Sequence, residues 1–255
     1  KDIPLLSFAI ALSYPFHKIF YANGGMGKLF DDMLKDIDVR KSEEIKYIKK
    51  ERDFYRLISN KNEYLSSKVV LNTPVFECSE IFLDEDIKNY YKKFEFYDQS
   101  AFVIYLKIDS QKEFLNHYQI ILKDTIPNTI TKSFFVSFSH KDDEKLSKNG
   151  YSVTISFHTK ALFWSNLSKE DYEKQKEFTK KFIIDELLKN ISDIKIEDIK
   201  IEFCATSKTF KRYINRFNCG STPLNLKNIF KIPSSTTPFK NLYNIGDSVF
   251  AGQGW

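Results

Sequence analysis

The sequence predicts a two-part fold of mixed α+β and α/β class. A parallel-type α/β unit is interrupted by a mostly antiparallel sheet backed by a long helix. Three observations carry this expectation. Short apolar strands lie near both ends of the chain, whereas the middle, from about residue 79, holds long runs that are alternating or aromatic. Polar turns such as Lys141-Asp-Asp-Glu144 and Lys148-Asn-Gly150 separate those runs, as between antiparallel strands. Six of the eight glycines fall in two turns, Asn23-Gly-Gly-Met-Gly27 and Gly246–Gly254, and two sites of close backbone approach point to one shared neighbour.

From the N-terminus, residues 1–22 read as a short apolar helix or turn, Leu5 to Leu12, running into Tyr14-Pro15-Phe16. The stretch is too short to cross a bilayer and lacks a signal-peptide cleavage pattern. After the first glycine turn comes a helix with Leu29, Phe30, Met33, Leu34 and Ile37 at helical spacing on one face. Glu44–Ile48 reads as a strand with Ile45 and Tyr47 on one face, paired with a second strand at Phe54–Ile58. Ser67–Asn72 is a buried strand ending before Pro74. The long strands are Ala101–Ile108, His117–Leu122, Ser133–Ser139 and Tyr151–His158. Ser168-Lys-Glu-Asp171 has the pattern of a capping box, and Ile184, Leu187, Leu188 and Ile191 give the helix after it an apolar face. Strand Lys200–Ala205 leads into Thr206–Tyr213, and the polar segment 215–238 returns the chain to a buried closing strand of Leu242, Tyr243 and Ile245.

That closing strand ends in the most informative stretch. Gly246 lets the backbone approach a neighbour, Asp247 is the acid at the tip, and Gly252-Gln253-Gly254 keep side chains away from what lies above. A strand, an acid and a glycine turn at the carboxyl edge of a sheet is how α/β proteins hold a nucleotide cofactor. The same spacing also fits an ordinary β-turn-α connection. The chain begins in mid-pattern at Lys1 and ends at Trp255, where a helix should open, so it reads as a piece of a longer protein.

Composition excludes several classes. The net charge is +5, from 39 basic and 34 acidic residues with the signs interspersed, and no basic block interleaved with aromatics argues for nucleic acid. Peripheral attraction to an anionic membrane surface remains open. Cys78, Cys204 and Cys219 are far apart and odd in number, which points to a reducing, cytoplasmic setting and no disulfide scaffold. His17, His117, His140 and His158 lack metal-ligand spacing, so no metal site is expected. There is no GxSxG, P-loop or HExxH. Asp142 and Asp143 are a paired-carboxylate candidate or a solvated turn. Arg212 and Arg216, near Lys208 and Lys211, are an anion site or a solvated helix face. The 24 Phe and 14 Tyr imply a large aromatic core or a ring-lined cavity.

Several segments carry a family resemblance in a consistent order: Asn23–Gly27 with its helix, Ile45 and Ile48, Val69–Asn72, Ser139-His-Lys-Asp-Asp143, Trp164 with Tyr172 and Lys176, Ala205-Thr206 with Thr209, Arg212 and Tyr213, and Asn241-Leu-Tyr…Gly-Asp247…Gly252-Gln-Gly254. Together they resemble the C-terminal half of the phytoene desaturase and carotenoid isomerase group of FAD-dependent oxidoreductases. The resemblance covers most of the chain, and the ending is close to the carotenoid isomerase branch. Two features depart from the pattern: the GxGxxG fingerprint is absent, in keeping with a missing N-terminal half, and Ala251 and Ser207 stand where prolines are usual.

The resemblance implies a partial FAD-binding, Rossmann-like domain at 1–78, a substrate-binding domain at 79–238, and the closing strand and glycine turn of the FAD-binding domain at 239–255. It implies FAD as cofactor. Ile45 would offer backbone contacts to adenine. Asp247 would meet ribityl hydroxyls or lie beside the pyrophosphate through water. Gly246, Gly252, Gln253 and Gly254 would bring bare backbone and a helix N-terminus to the flavin, where the dipole stabilises reduced flavin by roughly 0.3–1 kcal/mol. The implied substrate is an apolar isoprenoid or carotenoid-like polyene undergoing desaturation, saturation or isomerisation, with no catalytic side chain assigned. Phe102, Tyr105, Phe134, Phe135 and Phe138 would line its tunnel or build the core. The alternatives are a non-catalytic lipid or isoprenoid carrier and an amine-oxidase-like flavoenzyme with a polar substrate.

Overall fold

A computed structural model of the chain describes residues 22–220 and 232–249. The leading apolar stretch before residue 22 and the trio Gly252, Gln253 and Gly254 lie outside the described residues. Two compact units emerge. One holds Ile37–Tyr97 with Gly220 and 232–249; the other holds 22–36 with Asp98–Cys219. The divisions thus fall near residues 36, 97 and 220, where the sequence reading placed two, near 78 and 238.

The smaller unit shows why the first division lies at 97. Strands β1 (Ile45–Lys50), β2 (Tyr55–Ser59) and β3 (Glu63–Ser66) form an antiparallel meander, and β4 (Val69–Leu71) pairs in parallel with the distant β10 (Leu242–Asn244). A 3-10 turn (Val75–Ile81) and helix α2 (Glu85–Tyr91) follow β4. They place Val75, Cys78, Phe82, Ile87 and Tyr91 in one apolar cluster with Ile48, Tyr55, Leu71 and Leu242. Segment 79–97 therefore belongs to this core. Ile45 and Tyr47 do not share one face as expected. The β1–β2 register shifts between them, Tyr47 is exposed, and Ile48 takes the buried position.

In the larger unit, β5 (Ser100–Ile108), β6 (His117–Ile121), β7 (Ser133–Phe138), β8 (Tyr151–Thr159) and β9 (Ile199–Ala205) form one antiparallel sheet in the order β6-β7-β8-β5-β9. β5 and β8 each bury alternate residues along their full length, as period-2 patterning requires. The face carrying Phe102, Ile104, Val153 and Ile155 is sealed by Ile183, Ile184 and Leu187 of α5 (Lys169–Asn190), which follows the short α4 (Ala161–Asn166). The Ser168 hydroxyl caps that helix by accepting the Asp171 N–H, which matches the capping pattern of the sequence.

Helix α1 (Gly25–Met33) starts inside the first glycine turn rather than after it. Asp143, buried rather than solvated, ties the turn to the sheet unit. Its carboxylate accepts the Gly24 N–H at 2.7 Å and caps the short α3 (Glu144–Ser147) through the Lys145 and Leu146 N–H groups. Asp142 points into solvent. The apolar side of α1, including Leu29, Phe30 and Met33, is exposed among the described residues.

Candidate functional site

The closing strand presents its tip at the carboxyl ends of two parallel strands. Leu242, Tyr243 and Asn244 pair with Val69, Val70 and Leu71, and the Ile245 N–H then donates to the Leu71 carbonyl at 2.8 Å. The buried position after Tyr243 is Asn244, while Ile245 is 48% exposed; the expectation of a buried Ile245 is corrected. The cause is polar. Tyr91 donates its hydroxyl to Asn244 Oδ1 at 2.6 Å, and the Asn244 amide donates to the Ser234 carbonyl. A buried amide satisfied on both sides fixes the strand in register.

Gly246 follows with φ +97°, and a Cβ there would stand 2.4 Å from Asn72 Oδ1. Only glycine brings this backbone so close to the end of β4. A 3-10 turn (Asp247–Val249) begins at once. The Asp247 carboxylate accepts the Gly220 N–H at 3.1 Å, and the Ser248 hydroxyl accepts the Val75 N–H at 3.2 Å. The result is bare backbone and one carboxylate at the carboxyl edge of a parallel pair, chemistry suited to the hydroxyls of a sugar or sugar alcohol. Ile45 lies at the start of β1, partly buried against the same cluster as Leu242.

The aromatic candidates for a tunnel divide between the two faces of the larger sheet. Phe102, Phe134 and Phe138 are core, Phe102 stacking on Phe157 at 5.0 Å beside Trp164. They face α5, so they cannot line an open channel. Tyr105 and Phe135 lie on the opposite face. Tyr105 stacks on Phe203 of β9 at 4.8 Å, and Phe135 on His117 at 5.3 Å.

Beside the Tyr105–Phe203 pair is a hollow of about 650 Å³, bounded by α5, β9 and α6 (Ser207–Ile214). The Thr206 hydroxyl accepts the Thr209 N–H and shares a hydrogen bond with the Tyr172 hydroxyl at 2.9 Å, which sets α6 against α5. Burial pushes the Cys204 thiol at the hollow up to about 11 and that of Cys78 in the smaller unit up to about 12, so neither supplies a thiolate near neutrality. Burial also pushes His158, on the open face of β8, below its ordinary value. Sequence reasoning passed over two features. One is Asn244, whose partner Tyr91 is 153 residues away. The other is Lys176, which lines the hollow with Lys208 and Arg212, two of the cations that the sequence offered as an anion site. Lys176 lies far from them in sequence, so spacing gave no signal for it.

No family model matches the chain. Curated relatives do: prolycopene isomerase of Daucus carota is 32% identical over 126 residues, 48% of this chain and 20% of that protein. Prolycopene isomerase 2 of an Oncidium hybrid cultivar is 31% identical over the same length. The chain therefore spans about a fifth of the length of the curated relatives it matches. Among solved structures, a CLA-producing fatty acid isomerase from P. acnes superposes over 97% of this chain and 53% of its own, with TM-score 0.50 and 13% identity. Putrescine oxidase bound to putrescine does so over 87% of this chain and 46% of its own, with TM-score 0.51. At such identities the structures establish shared fold alone. Over about half its length the chain resembles the prolycopene isomerases.

Proposed function

We propose that this chain forms the C-terminal, substrate-side portion of an FAD-dependent oxidoreductase that isomerises, desaturates or saturates an apolar isoprenoid or carotenoid-like polyene. The observation that carries the reading is the 32% identity to prolycopene isomerase over 126 residues. The parallel β4–β10 edge supports it, because Gly246 and Asp247 stand where a dinucleotide's sugar-alcohol chain would find a carboxylate and open backbone. Ile45 and, beyond the described residues, Gly252, Gln253 and Gly254 complete the proposed set. FAD would supply the electron-transfer chemistry. This chain's own part is to hold the cofactor's edge and to present the open sheet face, with Tyr105 and Phe203, to an apolar substrate.

The other half of the cofactor cradle would come from the remainder of the protein, and this portion alone would not turn over. Peripheral contact with a membrane, from which an apolar substrate would be drawn, belongs to the same proposal; no helix among the described residues is long and apolar enough to cross one. The test is to supply the full-length gene product with FAD, a reductant and a poly-cis carotene, and to follow the isomers and desaturation products by chromatography. A changed polyene supports the reading. An FAD-loaded protein that leaves the polyene untouched and releases peroxide with an amine assigns it to the amine-oxidase alternative.

A further inference from the structure

The hollow beside α6 joins two features. One wall is aromatic: Tyr105 stacked on Phe203, with exposed Tyr213 and Ile214 beyond it. The other is cationic. Lys176 and Lys208 both lie over the Tyr172 ring, at 5.4 and 4.9 Å, and Arg212 shares the lining. Glu173 is the one carboxylate among the described lining residues. No ion pair within 4.0 Å involves Lys176, Lys208 or Arg212 among the described residues, whereas nearby Lys180 holds Glu177 at 2.9 Å and Glu202 at 2.7 Å. Lys208 spends one N–H on the Leu167 carbonyl at 2.7 Å, and an ammonium has three to give. Three cations around a single carboxylate leave a net positive charge, and an anion among them relieves their mutual repulsion. A guanidinium favours an oxyanion with two acceptor oxygens.

We propose that this hollow binds an amphiphile with an oxyanion head, carboxylate or phosphate. The head sits among Lys176, Lys208 and Arg212, and the apolar tail runs along Tyr105 and Phe203. A volume of about 650 Å³ is in the range of a small-molecule site and holds a single acyl-length chain. The tail takes the same Tyr105–Phe203 surface that the proposed function gives to an apolar substrate, but the inference stands on the hollow itself and holds whether or not the protein binds a flavin.

The test is calorimetric titration of the full-length gene product with four monomeric probes: palmitate, cetyl phosphate, cetyl alcohol and inorganic phosphate. Saturable binding of palmitate or cetyl phosphate is expected, with the tighter of the two identifying the head. Cetyl alcohol should bind at least ~tenfold more weakly, since a charge-assisted hydrogen bond contributes about that factor. Arg212→Gln should weaken the anionic amphiphile ~tenfold and Phe203→Ser should weaken it too, both with unchanged circular dichroism. Cetyl alcohol binding as tightly as palmitate, inorganic phosphate binding as tightly as cetyl phosphate, or an Arg212→Gln variant with wild-type affinity would each overturn the proposal. So would the absence of monomer binding combined with sedimentation on anionic vesicles, which would make the patch a membrane-docking surface.

Discussion

The two faces of the five-stranded sheet come from the same strands and meet different surroundings. Phe102, Ile104, Leu106 and Ile108 of β5 are sealed beneath the inner side of α5. Ala101, Val103, Tyr105 and Lys107 point the other way and are only half-buried, and Phe203 beside Tyr105 is 57% exposed. Strand β8 behaves as an ordinary one-sided strand, with Ser152, Thr154 and Ser156 on its second face. β5 carries Ala101, Val103 and Tyr105 on that face instead. A strand that is apolar on both sides is usually covered on both. The sealed face is therefore the fold's mechanical core, while the β5–β9 side of the open face has apolar surface to spend on a ligand.

The largest effect that could break this contrast is on the sealed face. Leu187→Ala should lower unfolding free energy by about 3 kcal/mol in denaturant melts, because the side chain is fully enclosed. Next comes the other unit. Gly246→Ala should cost about 2 kcal/mol, since φ +97° disfavours any Cβ and this one meets Asn72. Phe203→Ser should cost under about 1 kcal/mol, the value of one exposed aromatic pair. If Phe203→Ser destabilised as much as Leu187→Ala, the two faces would not differ in the way described.

The smallest effect is electrostatic and lies in the meander. Hydrogen bonds from Ser59, then Tyr64 and Asn62, hold the Glu43 carboxyl at about 2, below its ordinary 4.5. The fold thus favours the ionised form. That stabilisation is fully present above pH 4.5 and is lost as pH falls towards 2. Acid titration of Glu43→Gln against the parent should show a shallower decline of stability across that window. Equal slopes would remove Glu43 from this role.

Much of the fold was legible because period-2 patterning is strong in β5, β7 and β8 and because Ser168 caps α5 locally. The readings that failed concern residues decided by distant partners. The register shift in β1 buries Ile48 instead of aligning Ile45 with Tyr47, and nothing in the strand's own composition announces it. Asn244 is buried because Tyr91 reaches it. Asp143 looked like one of two turn acids, yet it caps α3 and accepts the Gly24 N–H across 119 residues. In the candidate site, Gly246-Asp247 was visible as a motif, but the parallel partner β4 that gives it meaning is set by long-range pairing. Phe102 and Phe134 could not be told from Tyr105 by residue type, because an aromatic side chain serves a core or a cavity equally well.

The Gly246–Asp247 tip is proposed as one wall of a flavin site. The most direct measurement is the visible absorbance of the full-length gene product after FAD addition and gel filtration, for the parent and for Asp247→Ala. An oxidised-flavin spectrum should stay with the parent and be substantially lost from Asp247→Ala. A parent that emerges colourless would contradict the flavin reading, and equal retention by both proteins would remove Asp247 from the site.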